Sequence, residues 1–187
     1  IGGSVRIPAS YCGVLGHKPS ETAMPKGSLP NPAVPMTVQG PIARRADDLE
    51  LALDIMAGPV EGEDIAWRLT IPRARGARLQ DFRVAVLPRL DWLPCDEDTL
   101  AAAQARLVEQ LARAGVEVVE TLPEGFGDFR DYYATYLALL NAIVTRGLPP
   151  EVRERAVQRL QENGDEISLA KARGMEATIA DYIGWIE

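Results

Sequence analysis

Ser4 is the residue in this chain whose immediate surroundings best fit a chemical task, because it directly follows Gly2 and Gly3. Glycines just before a serine leave room for a carbonyl carbon to approach the hydroxyl. They also let consecutive backbone N–H groups converge on one concavity. That is what an acyl transfer needs in order to hold an oxygen as it gains negative charge. On its own a Gly-Gly-Ser tripeptide is also an ordinary turn, so its weight depends on what surrounds it.

Other side chains offer less. His17, between Gly16 and Lys18, is the single histidine; it reads as a surface or hydrogen-bonded residue, because a histidine base needs a partner to tune it. Cys12, beside Gly13, would need a base to become a nucleophile, and it is expected to pack as a small apolar residue. Phe129, Tyr132, Tyr133 and Tyr136 recur at helical spacing and read as core more than as a stacking platform. No GxSxG elbow, HExxH, Walker A or GxGxxG motif occurs. Cys12 and Cys95 lie far apart without a CxxC, so neither a disulfide framework nor a zinc site is supported. No metal and no cofactor is expected, and a reducing cytoplasm is the default compartment.

The 187 residues are 47% apolar and 25% charged, the composition of an ordinary globular domain, which excludes collagen-like and low-complexity scaffolds. The net charge of −7 is uneven: residues 1–45 carry five basic side chains against Glu21 alone, and the rest is acidic. Direct nucleic-acid contact is therefore not expected. The longest apolar stretch, residues 136–144, is broken by Asn141 and falls well short of the roughly 20 residues that span a bilayer. No membrane span is predicted. The chain opens on Ile1 without a signal-peptide pattern, so the start of the gene product is expected to lie upstream.

The elements that must position Ser4 begin in a Gly- and Pro-rich segment, residues 1–45, that reads as loops and short strands. Ser4-Val5-Arg6-Ile7 alternates polar with apolar, which predicts a short half-buried strand with Arg6 facing opposite Val5 and Ile7. From Ala46 the period lengthens to about 3.6 residues: Leu49, Leu53 and Met56 predict a helix capped by Asp47 or Asp48 and closed by Gly58-Pro59. Residues 60–80 read as a surface crossing anchored by Trp67. Residues 82–88 form a predicted strand. Asp96 then caps a helix with Leu100, Ala103, Leu107, Leu111 and Ala114 on one stripe, and residues 116–119 return as a second strand. This is a βαβ unit, with parallel strands and a right-handed crossover expected. Past Pro123, Phe129 to Val144 predicts a helix ended by Gly147-Leu148-Pro149-Pro150. Residues 151–162 and 167–185 follow as amphipathic helices, with Gly164 between them and Gly174 and Gly184 weakening the last. The fold class is α/β with a helical C-terminal part, laid out as 1–45, 46–122 and 123–187.

The run Ile1-Gly2-Gly3-Ser4-Val5-Arg6-Ile7-Pro8-Ala9-Ser10-Tyr11-Cys12-Gly13-Val14-Leu15-Gly16-His17-Lys18-Pro19 resembles the second half of the amidase signature. In that signature a GGS(I/V)R run with a following Pro and Ala/Ser leads into a CG-x-x-G-x-KP stretch. The resemblance continues through Gln39-Gly40-Pro41-Ile42-Ala43-Arg44, the helix before Gly58-Pro59 and the βαβ unit. It covers most of residues 1–122, while residues 123–187 carry no motif of their own.

The resemblance implies a mixed β-sheet sandwiched between helices, of which this chain holds an incomplete part. It implies that Ser4 is the acylated nucleophile, that the backbone N–H groups of Ile1, Gly2, Gly3 and Ser4 form the oxyanion hole, and that Arg6 makes a structural ion pair near the nucleophile loop. In the family a second serine, held in a cis peptide, and a lysine base complete the triad upstream of the nucleophile. Lys18, Lys26 and Lys171 are the lysines present, and none matches that base. The implied activity is hydrolysis of a small-molecule amide without a metal, with the 187 residues alone expected to be inactive. An amidotransferase A-type subunit that draws ammonia from glutamine for a charged tRNA is an alternative, and so is a non-catalytic member of the fold. A homodimer is compatible with each.

Overall fold

The computed structural model describes residues 3–21, 23–25, 36–92, 97–122, 124–125 and 127–186. Arg6–Tyr11 is a helix, α1, where a strand was expected. Four alternating residues offer no ladder partner by themselves. Pro8, in contrast, sits in the first helical turn, where its missing N–H has no intrahelical partner to lose. The turn begins at the glycine: Ile7 N–H donates to the Gly3 carbonyl at 2.8 Å and Ala9 N–H to the Val5 carbonyl at 3.2 Å. It ends at Cys12, where Gly13 takes φ 64°. Gly13 N–H donates to Ser10 and Val14 N–H to Ala9, the paired closure that a left-handed residue after a helix permits. Cys12 is exposed at this cap and does not pack as expected.

Leu15–Gly16 (β1) pairs antiparallel with Ile42–Ala43 (β2). Ala46–Met56 (α2) follows, with Arg45 at the N-cap position. Asp47 and Asp48 therefore lie in the first turn and do not cap it; there their charge meets the positive end of the helix dipole. Leu49 and Leu53 are half-buried as predicted, but Met56 is exposed. Residues 60–80 run largely exposed, and Trp67 is 41% exposed, too open for the anchor it was expected to be.

Residues 71–129 form one unit, and residues 1–70 with 130–187 form the other. The 71–129 unit is the expected βαβ: Arg83–Val86 (β3), Glu97–Arg113 (α3) and Glu117–Glu120 (β4). The strands are parallel, in register from Arg83 opposite Glu117 to Val86 opposite Glu120. Gly115 closes α3 as Gly13 closes α1, delivering the buried Val116 to the start of β4. Asp96, predicted as the cap, lies outside the described residues, as does Cys95.

Phe129–Val144 (α4) has the bounds its spacing predicts. Pro150–Asn163 (α5) starts with proline at its first position, where φ is already suitable. The single helix expected over 167–185 is two, Glu166–Glu176 (α6) and Ile179–Gly184 (α7). Thr178 restarts the chain: its hydroxyl accepts from Asp181 N–H, while the Asp181 carboxylate accepts from Thr178 N–H. Gly174 does more than weaken α6. It is buried against α4, and a Cβ there would strike the Ala138 carbonyl. Val157, Ala172 and Met175 form a buried cluster flanked by Ala156 and Leu160, and Leu137, Ala138 and Ile143 are buried on α4. Among the described residues the architecture is mixed, with helices and two two-stranded sheets. No described helix is long and apolar enough to cross a membrane.

Candidate active site

Ser4 is exposed two residues before α1 and lines a pocket of about 420 Å³. That volume is in the range that holds a small molecule. Gly3 lines it too, at φ 154°, a backbone conformation that residues with a side chain rarely adopt, so this approach to the serine favours glycine. The N-terminal segment contributes Arg6, Lys18, Glu21, Met36 and Val38. Facing these are Tyr132, Thr135, Tyr136 and Leu139 of α4, with Trp185 just past α7. The α4 positions are spaced by three and four residues, so they share one face of the helix.

Two of the charged groups at the pocket have main-chain partners. Lys18 Nζ donates to the Pro19 carbonyl at 2.8 Å, and Glu21 Oε2 accepts from Met36 N–H at 3.4 Å. Burial pushes the Tyr136 hydroxyl above its ordinary pKa, and the neighbouring Tyr133 adds to this, while the positive charge of Arg6 works against it. The phenol therefore stays protonated at neutral pH and can donate a hydrogen bond. The Tyr133 and Tyr136 rings stack with centroids 6.0 Å apart.

Of the residues singled out in the sequence, Gly3, Ser4 and Arg6 come together at this pocket. Ile1 and Gly2 lie outside the described residues. Arg6 is the first residue of α1, so the strand geometry expected for it does not hold. His17 is exposed, and its backbone N–H donates to the Pro41 carbonyl. The aromatic run expected to be core is split: Tyr132 is 57% exposed, and with Tyr136 it borders the serine pocket. Sequence reading also passed over Lys18, Glu21 and Trp185 as pocket residues. For α4 the signal was present in the spacing, but which face met Ser4 was not. Among the described residues no group of three His, Cys, Asp or Glu side chains could hold a metal.

The family model described as Amidase matches residues 1–168. The chain belongs to the Amidase family. It is 35% identical over 129 residues to an acylamidase of Rhodococcus erythropolis, covering 65% of this chain and 26% of that protein. It is 32% identical over 152 residues to a 6-aminohexanoate-cyclic-dimer hydrolase of Pseudomonas sp. (strain NK87), covering 77% and 30%. The A-type subunit of a glutamyl-tRNA(Gln) amidotransferase from Synechococcus sp. (strain JA-2-3B'a(2-13)) is 33% identical over 122 residues, covering 64% and 24%. The chain thus spans about a quarter to a third of the length of these Amidase relatives.

Proposed function

We propose that the full-length protein hydrolyses a carboxylic amide through an acyl-enzyme on Ser4. The observation that carries this is an exposed serine, preceded by glycine, on the wall of a small-molecule pocket in a chain of the Amidase family. Ser4 Oγ attacks the carbonyl carbon, and its proton passes through a second serine to a neutral lysine, both supplied by a preceding segment of the protein. The main-chain N–H groups of Ile1, Gly2, Gly3 and Ser4 hold the resulting oxyanion. The C–N bond then breaks, the leaving ammonia or amine takes the proton, and water releases the acid and restores the hydroxyl. Arg6 acts as a structural ion-pairing residue beside this loop. The strands described above join a wider mixed sheet between helical layers, and the cytoplasm is the compartment. Without the lysine and its relay, the 187 residues alone lose orders of magnitude in rate and are expected to be inactive in practice.

A fluorophosphonate probe applied to the full-length gene product tests this. Labelling at Ser4, lost in Ser4→Ala together with a fall in kcat of about a thousandfold or more, is the expected result. An intact, folded protein that takes no label is a non-catalytic member of the fold, and the proposal fails. The identity to the Synechococcus amidotransferase protein favours a second reading, in which the chain is part of an amidotransferase that obtains ammonia from glutamine. Glutamine turnover stimulated by charged tRNA, with co-purifying protein partners, would select it.

A further inference from the structure

We propose that Tyr132 and Tyr136 of α4, together with Trp185, form a specificity wall that favours amides bearing an uncharged aromatic or multi-carbon apolar group. This rests on the assignment of Ser4 as nucleophile and names the substrate class for it. The chain has only three Trp, five Tyr and three Phe, and three of these eleven rings border this one pocket. Tyr132 keeps 57% of its surface exposed, and Tyr136 and Trp185 are half-buried, so ring surface remains for a ligand to cover. Aromatic rings give apolar groups a large contact area at little conformational cost.

The rings are also held in place. Tyr133 stacks on Tyr136, and the Arg173 guanidinium lies 5.4 Å from the centre of the Trp185 ring. Leu139, one turn beyond Tyr136, continues the apolar face. The charged residues of the pocket come from the N-terminal segment, and two of them, Lys18 and Glu21, already bond to main chain. A substrate such as glutamine brings an ammonium and a carboxylate, and ring surface cannot repay the loss of their hydration. The wall itself therefore favours simple apolar amides, and glutamine's charges could be met only by Arg6, Lys18 and Glu21 of the N-terminal segment.

The test is steady-state kinetics of the full-length protein with acetamide, phenylacetamide, N-benzylacetamide and glutamine. Phenylacetamide places the ring on the acyl side and N-benzylacetamide on the amine side, so the favoured one also reports which side the wall binds. We expect kcat/KM for one of the two to exceed that for acetamide by about tenfold or more. Tyr136→Ala and Trp185→Ala should each collapse that ratio toward one, chiefly through KM, while Tyr136→Phe preserves it and shows that the site still folds. A flat ratio in a wild-type protein whose Ser4 takes the fluorophosphonate overturns the wall and leaves the nucleophile standing, as does a preference for glutamine. Equal losses for acetamide and the ring-bearing amide in the Ala variants would reduce these residues to structural ones. A protein with neither labelling nor hydrolysis overturns both assignments.

Discussion

The two units of this chain are built in opposite ways. Residues 71–129 form a contiguous βαβ whose strands, helix and closing glycine follow one another along the sequence. The other unit joins residues 1–70 to residues 130–187, and its pocket sets Ser4 against Tyr132 and Trp185, well over a hundred positions away. The contiguous unit carries regular secondary structure and, among its described residues, no candidate nucleophile. The discontinuous unit carries the candidate site. Local pattern suffices to build a scaffold, whereas a binding wall can be drawn from any segment that the packing brings within reach.

Substitutions in the two units should therefore differ in kind. After the loss expected for Ser4→Ala, the largest effect belongs to Gly174→Ala. The added methyl meets the α4 backbone and not a flexible side chain, so α6 must move. Thermal unfolding of the full-length protein should show a loss of about 1–3 kcal/mol, with slower fluorophosphonate labelling because α4 also carries the pocket stripe. A neutral Gly174→Ala would mean that the two helices do not cross this closely.

Val116→Ala in the contiguous unit removes two methyl groups from a buried position, a loss of about 1–2 kcal/mol. Amide exchange should quicken across residues 71–129 while the rate of Ser4 labelling holds. If labelling falls as much as stability does, the contrast between scaffold and site is broken.

The smallest effect is acid sensitivity in the discontinuous unit. Asp165 caps α6, and its carboxyl is held below its ordinary pKa first by the Ser168 hydroxyl and then by the Ser168 backbone N–H. Asp181 is lowered likewise, first by the Thr178 hydroxyl and then by the Thr178 N–H. A folded-state pKa below the unfolded one gives stability that is present above the ordinary carboxylate value of about 4 and is lost as pH falls through the folded value. Amide exchange in α6 and α7 should therefore accelerate in that acid window, and Asp165→Ala should remove the pH dependence in α6. An unchanged profile in that variant would place the sensitivity elsewhere.

Much of this was open to the sequence. The bounds of α4, the parallel β3/β4 pair and the glycine that closes α3 all follow from periodicity and stop signals inside one window. The Gly-Gly-Ser run and the motif after it marked Ser4 and pointed to the family. Errors arose where a short pattern had two solutions. Ser4 to Ile7 alternates like a strand, yet a proline tolerated in the first helical turn and the Gly3 carbonyl give it a helix instead. Residues 167–185 look like one amphipathic helix, but Thr178 and Asp181 make a reciprocal cap that divides them.

Residue types and their spacing along the chain determined which segments coil, where they stop and which hydroxyl stands beside glycine, because those outcomes depend on neighbours a few positions apart. Only the tertiary structure decided that Tyr132 and Tyr136 of α4 border the serine while Leu137 is buried, and that Lys18, Glu21 and Trp185 share that pocket. Helical spacing states that side chains lie on one face. What each face meets is set by long-range packing: the face with Tyr132 and Tyr136 borders the serine pocket, while at Ala138 a glycine on α6 is small enough to rest against the α4 backbone.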